Sequence, residues 1–135
     1  MADQDDVRRI ARSLPEAAES DNGFGFSVRG KGFVWAWRER VQPKTARVPR
    51  DDVIAVRVDG QEDKAALLAS DEAVFFTEPH YNGFPAVLVR LPAVGLAQLE
   101  ELIVDAWRIQ APRALVRAWT DSGPSLTDES SPTED

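Results

Sequence analysis

FFTEPHYNGFPAVLVRL, residues 75–91, decides how this chain folds. Two apolar runs flank a polar turn that holds the only His, the only Tyr, an Asn-Gly pair and two prolines. Asn-Gly suits the positive φ of a tight turn, so Ala73–Thr77 and Phe84–Leu91 read as strands joined around His80-Tyr81-Asn82-Gly83. Pro92 stops pairing and Gly95 opens a helix over Leu96–Ile109. There Leu96, Leu99, Leu102, Ile103, Ala106 and Trp107 make one broad apolar stripe, while Gln98, Glu101, Asp105 and Arg108 lie outside it.

Upstream, Val53–Val58 is apolar at five of six positions, the pattern of a central strand. Asp59-Gly60 closes it, and Gln61–Ala69 reads as a short helix with Ala65, Leu68 and Ala69 inward. Gly23–Arg29 and Phe33–Arg38 alternate as strands around a Gly30-Lys31-Gly32 hairpin turn. That alternation puts Phe33, Trp35 and Trp37 on one face. Glu39–Asp52 holds two prolines and is too polar for core, so it reads as a long exposed loop. At the N-terminus, Asp3–Leu14 is an amphipathic helix with Val7, Ile10, Ala11 and Leu14 inward, and Asp3, Asp5 and Asp6 in its opening turn. Pro15 ends that helix, and Glu16–Asp21 reads as an acidic connection. Ala111-Pro112 breaks the main C-terminal helix, and Arg113–Trp119 adds another turn or two.

A length of 135 residues fits one domain with a proper core. We place that domain at residues 1–120, with an acidic tail at 121–135 that is too poor in apolar residues to offset its ordering entropy. No run is long enough to span a bilayer, and no hydrophobic signal core follows the N-terminus. The absence of cysteine excludes disulfides and thiol nucleophiles and fits a cytoplasmic setting.

The net charge of −7 argues against nucleic acid until it is divided along the chain. The last 15 residues carry five acids and no Lys or Arg; without them 16 basic residues stand against 18 acidic. Between Arg29 and Arg50 lie seven basic residues and one acid, Glu39, a local +6 in 22 residues. Such a segment suits phosphate contact, or equally a solvated loop balancing an acidic protein. Trp35 and Trp37 suit base stacking, though aromatics at alternate strand positions are more often core.

His80, with Glu78 nearby, invites an acid–base reading, but no Cys or nucleophile elbow accompanies it. Turn structure is the simpler reading, with its rings covering the sheet end. The three N-terminal aspartates could ligate a hard cation, yet three arginines follow at once and helix capping explains them. No phosphate-binding loop, dinucleotide fingerprint or zinc motif is present, so no cofactor or metal is expected.

EPHYNGFPAVLVRL, followed by LEELIVDAWRIQAPRAL, resembles the signature of the MmcQ/YjbR family. The likeness extends upstream through Leu14-Pro15-Glu16, Phe33–Arg38 and Val53–Ala69, covering residues 3–119. It implies an α+β, CyaY-like fold: an antiparallel sheet of about five strands with N- and C-terminal helices packed on one face. It further implies a small bacterial protein carrying a double-wing, DNA-binding description.

The expectation is therefore a non-enzymatic DNA-binding or regulatory accessory protein, monomeric and not membrane-bound. Its partner would be DNA, bound weakly through phosphates by Lys31, Arg38, Arg40, Lys44, Arg47 and Arg50. His80, Tyr81 and Asn82 would add a second contact if the two turns share an edge. The alternative is a protein- or small-ligand-interaction module, which predicts a concave apolar pocket near Trp35, Trp37 or His80. Frataxin-like iron handling borrows only the fold and lacks a dense acidic ridge.

Overall fold

In the computed structural model, the structure describes residues 2–21, 24–39, 48–78, 81 and 83–122. Four α-helices are seen among them: α1 (Gln4–Arg12), α2 (Gln61–Ser70), α3 (Leu96–Gln110) and α4 (Arg113–Ser122). The strands are β1 (Ala17–Glu19), β2 (Gly25–Val28), β3 (Lys31–Glu39), β4 (Val48–Arg57), β5 (Phe75–Phe76) and β6 (Ala86–Arg90). They form one antiparallel sheet in the order β1-β2-β3-β4-β6-β5, so β4 is internal as expected. The α+β class holds, with six strands rather than five.

Helix α1 starts where its acids predict. Asp3 accepts from the Asp6 N–H, Asp6 accepts from the Asp3 N–H, and this reciprocal box satisfies two free donors. Val7, Ile10 and Ala11 are buried on one side. They join Leu99, Ile103, Ala106 and Trp107 of α3 over the sheet face formed by Val34, Ile54, Val56, Val87 and Val89. The N- and C-terminal helices thus cover one face. Leu96, expected inward, is 46% exposed because it opens α3 outside the cluster.

Four local readings change. Glu16–Asp21 is not a plain connection: Ala17–Glu19 pairs with β2 as an edge strand. Three residues with one acid give too little pattern to see, and pairing decides it. The hairpin turn is Arg29-Gly30, not Gly30-Lys31-Gly32, since Val28 pairs directly with Lys31. Both turn residues have positive φ (52° and 82°), the signs of a type I′ turn matching strand twist. In α2 the buried residue is Lys64, with Leu67 and Leu68 half-buried, while Ala65 and Ala69 are exposed. The Glu39–Asp52 loop shortens at both ends, because β3 runs to Glu39 and β4 begins at Val48. Residues 40–47 lie outside the described residues.

The Phe33, Trp35 and Trp37 alternation also fails. Phe26 pairs with Val34 but Ser27 pairs with Gly32, leaving Phe33 as the extra residue of a β-bulge. Phe33 and Val34 therefore both join the helix-side core, and Trp35 and Trp37 pack on the opposite face. Gly25 lies across from Trp35, where an added Cβ would sit 3.1 Å from the Trp35 Cβ.

The arginines of α1 and of the β2–β3 turn are matched with acids. Arg8 and Arg12 both reach Glu19 (3.1 and 2.8 Å), Arg9 reaches Asp6 (3.3 Å), and Arg29 holds Glu16. Hydrogen bonds from Arg8, with help from Arg12, hold the Glu19 carboxyl below its usual pKa of 4.5; Arg29 does the same for Glu16. A lowered folded-state pKa means stability that is present above the unfolded value and lost as pH falls through the folded one. Stability should therefore decline below about pH 4.5, and less steeply in Glu19→Gln. Urea midpoints between about pH 6 and about pH 3 measure this; parallel curves for the two proteins would contradict it.

Candidate binding surfaces: a projecting ribbon and the helix-free face

Strands β3 and β4 outrun their neighbours. β2 pairs with β3 over Lys31–Trp35, and β6 pairs with β4 over Val53–Arg57. Beyond a register break, Arg38 pairs with Pro49 and Glu39 with Val48, with no third strand alongside among the described residues. The sheet thus ends in a two-stranded ribbon. Arg38 and Arg50 lie on its strands. Arg40, Lys44 and Arg47 fall in the connection outside the described residues.

The other expected contacts sit elsewhere. Lys31 is exposed, but at the opposite end of β3. Eight residue steps at ~3.3 Å put it roughly 26 Å from the ribbon. The turn before β6 is also remote: Ala86 pairs with Arg57, at the end of β4 away from Val48. The turn before β6 therefore lies toward the same end of the sheet as Lys31, the end away from the ribbon. His80 and Asn82 lie outside the described residues. Tyr81 is only 9% exposed, and its hydroxyl accepts the Trp35 indole N–H at 3.0 Å. Its place is in the packing of the face rather than at the surface.

That face, bare of helices, has its own small core: Trp37, Val53, Ala55, Tyr81, Ala86 and Leu88, with Trp35 and Phe76 against it. Helix α2 locks the adjoining turn. The Lys64 ammonium donates to the Tyr81 and Phe84 carbonyls, and the Gln61 amide donates to the Gly83 carbonyl at 3.1 Å. Gly83, at φ 80°, supplies the positive φ the Asn-Gly pair promised. Lys64 is 4% exposed, and burial pushes its ammonium below the ordinary lysine pKa. Nothing in the sequence distinguishes this lysine from a solvated one; only its acceptors do.

Arginines lie over the rings of this face. Arg90 sits 4.1 Å above the Phe76 centroid and Arg57 6.0 Å from that of Phe84, which is 43% exposed. Neither arginine makes an ion pair among the described residues. At the ribbon's base a groove of about 430 Å³ opens between Trp37, Val53, Phe76 and Arg90, with Asp52 and Pro92 at its sides. The indole Nε1 of Trp37 is buried and has no hydrogen-bond acceptor among the described residues.

A second groove, about 330 Å³, runs between α2 and α3 with Leu67, Leu102 and Ile109 inside and Asp59, Asp63 and Asp105 among its lining. Among the described residues no group of three or more His, Cys, Asp or Glu is placed to hold a metal. No described helix is long and apolar enough to cross a membrane.

An open antiparallel sheet, helices on one face and an arginine-capped aromatic surface on the other, defines a small α+β domain with two surfaces to offer. The chain belongs to the YjbR family, whose model matches residues 12–109. It is similar to the uncharacterised proteins Rv2570 of Mycobacterium tuberculosis and Mb2600 of Mycobacterium bovis. Each is 41% identical over 125 residues, covering 88% of this chain and 96% of the relative. No solved structure matches significantly.

Proposed function

We propose that this YjbR-family protein is a non-enzymatic accessory protein that binds DNA weakly, through phosphates, with its β3–β4 ribbon. The ribbon is the observation that supports this reading. Residues 38–50 carry Arg38, Arg40, Lys44, Arg47 and Arg50 against the single acid Glu39, and a two-stranded antiparallel ribbon is one of the elements a major groove admits. Arg8, Arg9, Arg12 and Arg29 are engaged by carboxylates, so the protein's negative total does not describe the ribbon's own sequence. Lys31 and Tyr81 lie away from that end and are no part of the proposed contact, and His80 and Asn82 lie outside the described residues.

Fluorescence anisotropy of a labelled duplex across a salt series tests it. Each phosphate contact contributes about 0.9 to the slope of log affinity against log salt. Arg40→Ala, Lys44→Ala and Arg47→Ala together should flatten that slope by about 2.7. Wild-type protein that shows no binding at the lowest salt, or a triple variant with an unchanged slope, would remove the reading. Deleting residues 123–135 takes away four acidic side chains and should raise DNA affinity, more at low salt than at high. Equal affinities would make the tail irrelevant to binding.

A second reading, a small-ligand-interaction module, has its support in the groove beside Trp37.

A further inference from the structure

We infer that the groove at the ribbon's base binds a small monocarboxylate with a flat apolar body. This rests on the second reading above and is independent of the ribbon's contact with DNA. The volume of about 430 Å³ lies within the range of small-molecule sites, which combine apolar walls with a few fixed polar groups. Here Trp37, Val53, Phe76 and Pro92 supply the walls. Trp37 meets Phe76 edge-on, with ring centroids 5.4 Å apart and planes at 81°.

Arg90 is the anchor. Its guanidinium is stacked on Phe76, and one Nη1 hydrogen is committed to the Glu72 carbonyl at 3.0 Å. Stacking and that bond orient the planar fork, whose other N–H groups make no ion pair among the described residues. A guanidinium held this way favours a carboxylate that can take two parallel hydrogen bonds.

Trp37 is the second observation. It is 8% exposed, and its Nε1–H is buried without an acceptor. Trp35 gives its indole hydrogen to Tyr81, and Trp107 gives its own to the Pro15 carbonyl. Trp37 differs from both, and it lines the groove that contains Arg90. Its donor has no acceptor among the described residues, and the indole ring that carries it forms part of the groove wall, where an occupant changes its surroundings.

Asp52 narrows the class. It lines the same groove and is already engaged in an interaction of its own. A fixed negative charge there penalises a dianion more than a monoanion, so a carboxylate is favoured over phosphate.

The test is a ¹H–¹⁵N titration of the full chain with benzoate, its neutral isostere benzamide, and inorganic phosphate. The Trp37 indole signal is identified by its loss in Trp37→Phe. Benzoate should move that signal saturably at concentrations up to about 20 mM, well above a millimolar dissociation constant. Arg90→Gln should weaken benzoate at least tenfold while leaving the remaining amide spectrum folded, and benzamide should bind at least tenfold more weakly than benzoate. The Arg40, Lys44 and Arg47 triple variant should bind benzoate as wild type does, so failure of the DNA reading and failure of this site are separable. An immobile Trp37 signal, unchanged affinity in Arg90→Gln, or phosphate binding as tightly as benzoate would each overturn the proposal.

Discussion

Trp107→Ala should destabilise the fold by about 3–5 kcal/mol, the range for emptying a large aromatic site in a close-packed core. The side chain is fully buried and joins three parts of the chain. Its ring packs against Val7, Ile10 and the rest of the helix-side cluster, and its indole N–H donates to the Pro15 carbonyl at 3.0 Å, just after α1. Trp119 of α4 meets it edge-on at 5.2 Å. Removing it opens a cavity and leaves the Pro15 carbonyl without that donor, and α4 loses an aromatic contact. Trp107→Phe deletes the donor while keeping an aromatic ring in the site, so it leaves a much smaller cavity than alanine does. That variant should lose about 1–3 kcal/mol. Urea unfolding followed by far-UV circular dichroism reads both. If Trp107→Ala loses less than about 1 kcal/mol, the ring does not hold the helices to the sheet as described.

Lys64→Met should cost about 2–4 kcal/mol, far more than a surface lysine would. Methionine fills similar space on α2 but cannot donate, so the Tyr81 and Phe84 carbonyls each lose the ammonium and keep only a backbone donor, the Phe84 and Ala86 N–H respectively. Each lost bond from a charged donor is worth about 1.5–3 kcal/mol, offset in part by the burial cost of the ammonium that methionine removes. The turn before β6 should loosen with it, which amide exchange of Phe84 and Ala86 would report. The pH dependence has a definite sign. Burial lowers the folded-state pKa of Lys64 below 10.5, so the folded protein binds fewer protons than the unfolded chain between those two values. Wild-type stability should therefore gain on Lys64→Met as pH rises through that window. A difference between the two proteins that shrinks with pH would mean the ammonium is stabilised by its carbonyls more than it is penalised by burial.

Tight packing around Trp107 and the Lys64 clamp fix the sheet's body, leaving β3 and β4 free to extend beyond it. That geometry leaves two candidate surfaces, the ribbon and the groove at its base.

Much of this architecture was legible from residues alone, for a local reason. The α1 start lies in Asp3 and Asp6, the α3 stripe in Leu99, Ile103, Ala106 and Trp107, and the last hairpin in Asn82-Gly83. Each is written in consecutive or periodic positions, and local backbone preference together with burial enforces it. The family likeness was carried by the same stretches.

What only the tertiary structure decided depends on partners far apart in the chain. A single extra residue at Phe33 sends Trp35 and Trp37 to the face opposite Phe33, because side-chain direction reverses with every step of register. Lys64 is buried because two carbonyls 17 and 20 residues away accept its hydrogens. Lys31 and the turn before β6 are separated from the ribbon because antiparallel pairing sends them to the other end of the sheet. Strand period, helix period and charge counts report the neighbours of a residue along the chain; which donor meets which acceptor across the sheet is set by register and packing.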